Sequence, residues 1–151
     1  MNLNEEVEVL KGVPLLSKIE PAKLKLLAFT SERVNYAEGQ ELCHQGDPGD
    51  AMYVILGGVA DVLIDTPSWQ IQVAQMTKND FVGEIAILCD VPRTATIKAS
   101  ESLLTLRIKK DMFYKLVSEF PAVAIEMMRE LAHRVEDTNQ KLRDATANQA
   151  A

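Results

Sequence analysis

Apolar residues near the start of the chain recur at helical spacing. Leu3, Val7 and Leu10 form one stripe, and Leu24 and Leu27 belong to another. The Val13-Pro14 step interrupts the first segment, and Pro21 suits the first position of the next helix, where no backbone N–H is needed. We expect residues 1–30 to form a helical cap on the core.

The spacing of apolar residues changes after residue 31. Met52, Val54 and Leu56 alternate with Tyr53 and Ile55 in a nearly continuous apolar run, and shorter runs follow as far as Ile108. Glycines, Pro67 and Asn79-Asp80 separate these runs, as turn residues do between strands. About eight short strands over 31–110 predict an α+β chain, mainly β, built on a double-sheet jelly-roll β-barrel.

Helical features return in the last third of the chain. Asp111 is a candidate N-cap for a helix that continues to about Ser118. Pro121 can open a long helix from Ala122 to about Asp144, which contains no internal Gly or Pro. We therefore expect C-terminal helices over 111–144, followed by a frayed tail over 145–151.

Length and charge limit the function classes. The 151 residues predict a single domain over 1–151 with a sizeable core. A net charge of −6 argues against a nucleic-acid partner, which would require a basic surface. No apolar run approaches the length needed to cross a bilayer, so we expect no membrane partner.

The termini and cysteines indicate a cytoplasmic protein without a metal. Acidic residues follow the start of the chain, which is the wrong composition for a secretory signal. Cys43 and Cys89 lack metal-ligand spacing and are expected to be reduced thiols. His44 and His133 are far apart in sequence, unlike the clustered histidines of metal-binding jelly rolls.

Candidate chemistry is concentrated in the stretch from Phe81 to Thr96. A glycine before a short helical turn, Gly83, lets backbone N–H groups face an anion. Arg93 returns beside that turn with a planar set of donors that fits a phosphate. Glu84 would repel an anion but can accept a hydrogen bond from a hydroxyl on the same ligand. A phosphate next to a free sugar hydroxyl indicates a nucleotide-like ligand.

This stretch resembles the phosphate-binding cassette of cyclic-nucleotide-binding domains, here residues 81–96. The matching positions are Gly83, Glu84, Ala86, Arg93, Thr94 and Ala95. The Glu-to-Arg spacing is similar to that of kinase regulatory subunits and nucleotide-gated channels, whereas Val82 is closer to bacterial cyclic-AMP receptors. Segments beginning at Tyr36, His44 and Gly58 also resemble the family's earlier turns and strands, in the right order.

The resemblance implies a regulatory sensor domain rather than an enzyme. It would bind cyclic AMP, or cyclic GMP, and act on an unidentified effector protein by repositioning its C-terminal helix. Thr138-Asn139 resembles the Thr-Ser pair with which bacterial receptors reach adenine, and Thr94 is a second candidate for base selection. The implied ligand-binding residues are Phe81, Val82, Gly83, Glu84, Ile85, Ala86, Arg93, Thr94, Ala95, Thr138 and Asn139.

Two other functions remain open from the residues. A degenerate domain would serve only for dimerisation, although the intact Glu84 and Arg93 argue against this. A cupin-like enzyme is more remote, because the chain lacks a metal cluster, a Ser-His-Asp set and a Walker loop.

The long helix is also a candidate dimer interface. Its apolar positions follow a 3-4-3-4-3 spacing, as in the core of a two-stranded coiled coil, with one polar residue able to fix the register. We expect a homodimer through this helix; the alternative is that the same face packs on its own domain. The residues concerned are Ile125, Met128, Ala132, Val135, Asn139 and Leu142.

Overall fold

The computed structural model describes residues 2–150 and consists of five α-helices, one 3₁₀ turn and eight strands over that range. The helices are α1 (Leu3–Lys11), α2 (Pro21–Thr30), α3 (Glu84–Cys89), α4 (Lys110–Glu119) and α5 (Pro121–Ala150), and the 3₁₀ turn is Pro14–Leu16. The strands are β1 (Glu32–Tyr36), β2 (Glu41–Cys43), β3 (Ala51–Gly57), β4 (Ala60–Asp65), β5 (Gln70–Met76), β6 (Phe81–Val82), β7 (Thr96–Ala99) and β8 (Leu103–Lys109).

The strands form two antiparallel four-stranded sheets. Their orders are β1-β8-β3-β6 and β2-β7-β4-β5, and every recorded pairing is antiparallel. The two layers make a jelly-roll-like fold rather than a closed barrel, with 45% of the residues helical and 28% in strands. The predicted fold class is confirmed, and the helices contribute more residues than the sheets that they cover.

Strand β3 is apolar throughout its length because both of its faces are buried. Successive side chains of a strand point to opposite faces. Met52 and Val54 pack in a cluster with the N-terminal helices and α4–α5, whereas Tyr53 and Ile55 pack in a second cluster between the two sheets. Both faces of β3 are therefore covered, and the strand is buried from Ala51 to Leu56.

The N-terminal helices cover one side of the first sheet. Asn2 and Glu5 form a reciprocal capping box that satisfies donors at the start of α1. Pro21 occupies the first turn of α2, as its missing N–H allows. Leu10 and Leu24 are almost completely buried, which makes the helices a cap on the core.

Two boundaries in the C-terminal part differ from the sequence-based expectation. Helix α4 begins directly after β8, so the residue that flanks it is Lys109, not Asp111. Asp111 lies in the first turn, where its carboxylate accepts from the N–H of Met112 at 2.9 Å. Helix α5 does not end near Asp144 but continues to Ala150, because that segment contains no Gly or Pro to stop it. The expected frayed tail is thus helical through Ala150, and residue 151 lies outside the described residues.

Two further findings concern the described residues as a set. No helix among residues 2–150 is both long and apolar enough to cross a membrane. Cys43 and Cys89 are both free thiols, half-buried and exposed respectively.

Candidate functional site

A cavity of about 780 Å³ lies between the second sheet, the loop and helix after β6, and α5. This volume is in the range of small-molecule binding sites. Apolar side chains of β4 and β5, including Val62, Ile64 and Val73, form one wall. The segment from Glu130 to Lys141 of α5 contributes the opposite wall. Residues far apart in sequence thus enclose one site.

The cassette begins with a tight change of direction after β6. Gly83 has a φ of +84°, a left-handed conformation that a side chain would disfavour, and it is the N-cap of α3. The short helix ends at Asp90, which is also left-handed at φ +53°. The chain then returns to Arg93 beside Gly83. This double turn brings the carboxylate of Glu84 and the guanidinium of Arg93 to one end of the cavity.

Arg93 is held by the backbone around it. Its side chain is only 6% exposed although it carries a permanent charge. Nη1 donates to the carbonyl oxygen of Gly83 at 3.0 Å, and Nη2 donates to that of Ala51 at 2.7 Å. The guanidinium carbon lies 6.0 Å from the centre of the Tyr53 ring. These contacts fix the guanidinium in one position at the cavity wall.

One donor of Arg93 has no acceptor in the described part of the chain. Its Nε is buried and makes no hydrogen bond there. A buried N–H without an acceptor costs free energy, and a buried cation without a counter-charge costs more. An anion bound in the cavity would supply the missing acceptor and would add to the negative charge that Glu84 already places near Arg93. The residues present therefore fit a phosphate.

Glu84 is the buried carboxylate of the site. It is 5% exposed, and Oε1 accepts a hydrogen bond from Nη1 of Arg134 at 3.1 Å. Burial raises the pKa of the Glu84 carboxyl above its ordinary value, and the neighbouring Arg134 charge partly opposes this shift. A carboxylate has about four acceptor positions, so Glu84 can accept a ligand hydroxyl in addition to Arg134.

Arg134 connects α5 to the cassette and was not among the predicted site residues. Its Nη2 donates to the carbonyl of Phe81 at 2.8 Å, and its guanidinium carbon lies 4.4 Å from the centre of the Phe81 ring. Its Nε lies 3.4 Å from a carboxylate oxygen of Glu130, one turn earlier. Helical spacing could have indicated it, because Arg134 precedes the predicted Thr138 by four residues and shares its face.

The structure brings together all but one of the residues predicted for the site. Phe81 does not line the cavity but is buried in the core, and Arg134 contacts its ring and carbonyl. Adjacent side chains of β6 point in opposite directions, so Val82 faces the cavity and Phe81 cannot. The predicted residues that line the cavity are Val82, Gly83, Glu84, Ile85, Ala86, Arg93, Thr94, Ala95, Thr138 and Asn139.

Cys43 also lines the cavity and was not among the predicted site residues. Burial raises the pKa of its thiol, so the neutral form predominates at physiological pH. Its Sγ lies 3.8 Å from the carbonyl oxygen of Ala95. Cys43 therefore acts as a small packing residue of the wall.

Within residues 2–150, no group of three or more His, Cys, Asp or Glu side chains is placed to hold a metal ion.

Helix α5 uses only one face to pack on its own domain. Val123 and Met127 are buried, and Leu131 and Arg134 are half-buried. The six residues of the predicted coiled-coil stripe are all exposed, including Met128 at 61% and Leu142 at 65%. The stripe is therefore exposed and does not pack in the core of its own domain, although Val135 and Asn139 also line the cavity.

Comparison with known proteins gives one matching family model. The model described as the cyclic nucleotide-binding domain matches residues 33–120. A cAMP-dependent protein kinase regulatory subunit from Blastocladiella emersonii is 38% identical over 109 residues, which cover 72% of this chain and 27% of that protein. The chain thus spans about a quarter of the length of this relative.

Solved structures share the fold at low sequence identity. The regulatory domain of Toxoplasma gondii PKA with cAMP superimposes with a TM-score of 0.76 at 20% identity, covering 87% of this chain and 50% of that one. The regulatory subunit of a cAMP-independent protein kinase A from Trypanosoma cruzi, bound to guanosine, gives 0.74 at 19% identity, covering 91% and 50%. At these identities the likeness establishes the fold alone.

Proposed function

The chain belongs to the cyclic nucleotide-binding domain family, and from this premise we propose that it is a regulatory domain that binds cyclic AMP in the cavity beneath α5. The observation that supports this most strongly is the pair of buried charged residues at one end of the cavity. Arg93 has an unpaired buried donor there, and Glu84 is a buried acceptor. One ligand with a phosphate and a sugar hydroxyl satisfies both.

The cyclic phosphate contacts Arg93 in this proposal. Nη1 and Nη2 already donate to backbone carbonyls, which orient the guanidinium, while Nε has no acceptor within the described residues. The ribose hydroxyl donates to Glu84. An ionised Glu84 accepts this hydrogen bond most strongly, and the Arg134 guanidinium at 3.1 Å favours that form.

The base lies between the apolar wall of β4–β5 and α5. Val62, Ile64 and Val73 can pack on a base face, and the hydroxyl and amide of Thr138 and Asn139 are the polar groups of the predicted adenine contact. Thr94 lines the cavity beside Arg93, where its hydroxyl can meet a guanine amino group or the phosphate. We place cyclic AMP ahead of cyclic GMP, with discrimination of about tenfold or less, because one hydrogen bond contributes only ~0.5–1.5 kcal/mol.

Ligand binding is transmitted through α5. The helix lies over the cavity, and Arg134 joins it to the same carboxylate that is assigned to the ribose. A ligand that contacts both the cassette and α5 stabilises this docked arrangement relative to any arrangement in which α5 has moved away. The effector protein that responds remains unidentified, and we place this regulation in the cytoplasm.

A nucleoside is the second candidate ligand. The related Trypanosoma cruzi protein with guanosine shows that this fold accommodates a nucleoside. A nucleoside has no phosphate, however, and it would leave the buried Nε of Arg93 without an acceptor. This argument favours a cyclic nucleotide.

We also propose that the domain forms a homodimer through α5. The exposed stripe from Ile125 to Leu142 contains four large apolar side chains that are at least 44% exposed. Burying them against the same stripe of a second copy removes apolar area from water. The polar Asn139 in this stripe would fix the register of the two helices.

Calorimetric titration of the purified chain with cyclic AMP, cyclic GMP and adenosine tests the proposal. We expect binding of both cyclic nucleotides and much weaker binding of adenosine. Equal affinity for adenosine and cyclic AMP would indicate a nucleoside site. Absence of heat and of thermal stabilisation with all three ligands would favour a module that serves only for dimerisation.

A further inference from the structure

The loop before β3 contains Gly49, whose backbone conformation does not require a glycine. The φ angles of Gly39, Gly46, Gly58 and Gly83 are positive, in the region that favours glycine. That of Gly49 lies outside this region. Another residue type could therefore adopt the backbone of Gly49, and the reason for a glycine must be sought in its surroundings.

Those surroundings leave no room for a side chain. A Cβ atom at position 49 would lie 2.6 Å from Nε and 2.9 Å from Cζ of Arg93, and 2.7 Å from the Cβ of Ala86. Carbon atoms in contact are normally about 3.5–4.0 Å apart. We propose that Gly49 and Ala86 together form the seat of the Arg93 side chain and so position its guanidinium for the phosphate.

Hydrogen bonds hold the loop and Arg93 in place, so neither can easily move away from a side chain at position 49. The N–H of Gly46 donates to the carbonyl of Arg93, and the N–H of Arg93 donates to that of Asp47, both at 2.8 Å. The loop is therefore attached to the backbone of Arg93. The guanidinium is attached in turn to the carbonyls of Gly83 and Ala51. An added methyl group at position 49 must displace the guanidinium, the loop or α3.

The methyl group of Ala86 occupies part of the space that a methyl group at position 49 would need. Ala86 is 3% exposed and lies in α3. If that methyl group is removed, one of the two obstacles to a methyl group at position 49 disappears, and the second is the stem of Arg93. Ala86→Gly therefore relieves only part of the overlap that Gly49→Ala creates, because the overlap with Nε and Cζ of Arg93 remains. Gly49 and Ala86 are positioning residues, since they act through Arg93.

The binding test of this proposal depends on the proposed function, whereas the stability test does not. Cyclic AMP affinity is measured for wild type, Gly49→Ala, Ala86→Gly and the double variant. Gly57→Ala is the matched control, because a Cβ at Gly57 meets nothing within 4 Å and its φ is not positive. We expect Gly49→Ala to weaken binding about tenfold or more, the double variant to lose less than the two single losses combined, and Gly57→Ala to be unchanged.

Thermal unfolding without ligand provides the second measurement. Gly49→Ala and Ala86→Gly should each lower the melting temperature, and the double variant should lose less than the sum of the two losses. Unchanged affinity of Gly49→Ala, or single losses that combine in full in the double variant, would overturn the seat. If wild type itself binds no cyclic nucleotide, the proposed function fails, and additive losses of stability would then overturn the seat separately.

Discussion

The Nη1 atom of Arg134 lies 3.1 Å from the Oε1 atom of Glu84, although the two residues are fifty positions apart. The side chain of Glu84 is 6% exposed and that of Arg134 is 24% exposed, so the pair is largely shielded from water. It joins the docked helix to the carboxylate that we assign to the ribose. Changes at this contact should therefore affect both helix docking and nucleotide binding.

Arg134→Gln should loosen α5 and weaken cyclic AMP binding. The substitution removes the charge opposite Glu84 and the donor to the Phe81 carbonyl. Loss of a hydrogen bond to a buried charged group costs about 1.5–3 kcal/mol. Hydrogen exchange should accelerate over residues 122–144. Arg129→Gln is the control, because Arg129 lies on the same helix and pairs only with the nearby Glu126 among the ion pairs described. Equal exchange rates in the two variants would contradict a docking role for Arg134.

Glu84→Gln should alter the pH dependence of stability. Burial raises the pKa of Glu84 in the folded chain above its ordinary value of 4.5. The free energy of unfolding that Glu84 contributes is therefore fully present below pH 4.5, and it is lost as the pH rises through the raised pKa of the folded chain. Urea unfolding from about pH 4 to pH 7 should show wild type losing stability relative to the Gln variant. The exposed Glu101→Gln serves as control. A relative gain by wild type would mean that the Arg134 charge outweighs burial.

The exposed stripe of α5 predicts a dimer of twice the 16.7 kDa chain mass. Light scattering at tens of micromolar should detect it with and without nucleotide. Met128→Glu places a charge in the stripe and should yield monomers, since burying an unpaired charge is costly. His133→Glu, at an exposed position outside the stripe, should remain dimeric. A monomeric wild type would remove this part of the proposal.

Thr94→Ala tests how the base is selected. Thr94 is exposed at the cavity beside Arg93, so its substitution should leave the fold unchanged. If its hydroxyl accepts from a guanine amino group, the variant should lose affinity for cyclic GMP and shift its preference toward cyclic AMP. Calorimetry with both ligands distinguishes this result from an equal loss for both, which would place the hydroxyl on the phosphate.

The sequence predicted the parts of the site whose residues lie close together in the chain. The turn at Gly83 and the return to Arg93 lie within one short segment, so residue types and spacing predicted that Glu84 and Arg93 share a site wall. Helical spacing also predicted that α5 has an apolar stripe. These features depend on interactions between residues close together in the chain.

The sequence was less informative where the site depends on packing. Arg134 reaches Glu84 only because α5 docks against the cassette, and no local pattern specifies that docking angle. Phe81 was assigned to the site because of its place in the motif, whereas strand alternation directs it into the core. The end of α5 was predicted too early, because the Ala-rich segment contains no residue that stops a helix.

The affinity of Arg93→Ala for cyclic AMP is the most direct test of the account. Arg93 is buried, and we assign it to the phosphate, so its removal should cost about 3–5 kcal/mol of binding. Arg93→Lys should recover only part, because an ammonium cannot reproduce the planar guanidinium. Arg143→Ala is the control, since Arg143 is 60% exposed and pairs with Glu136. Calorimetry should show the loss in Arg93→Ala with Arg143→Ala unchanged; wild-type affinity in Arg93→Ala would contradict the assignment of the phosphate site.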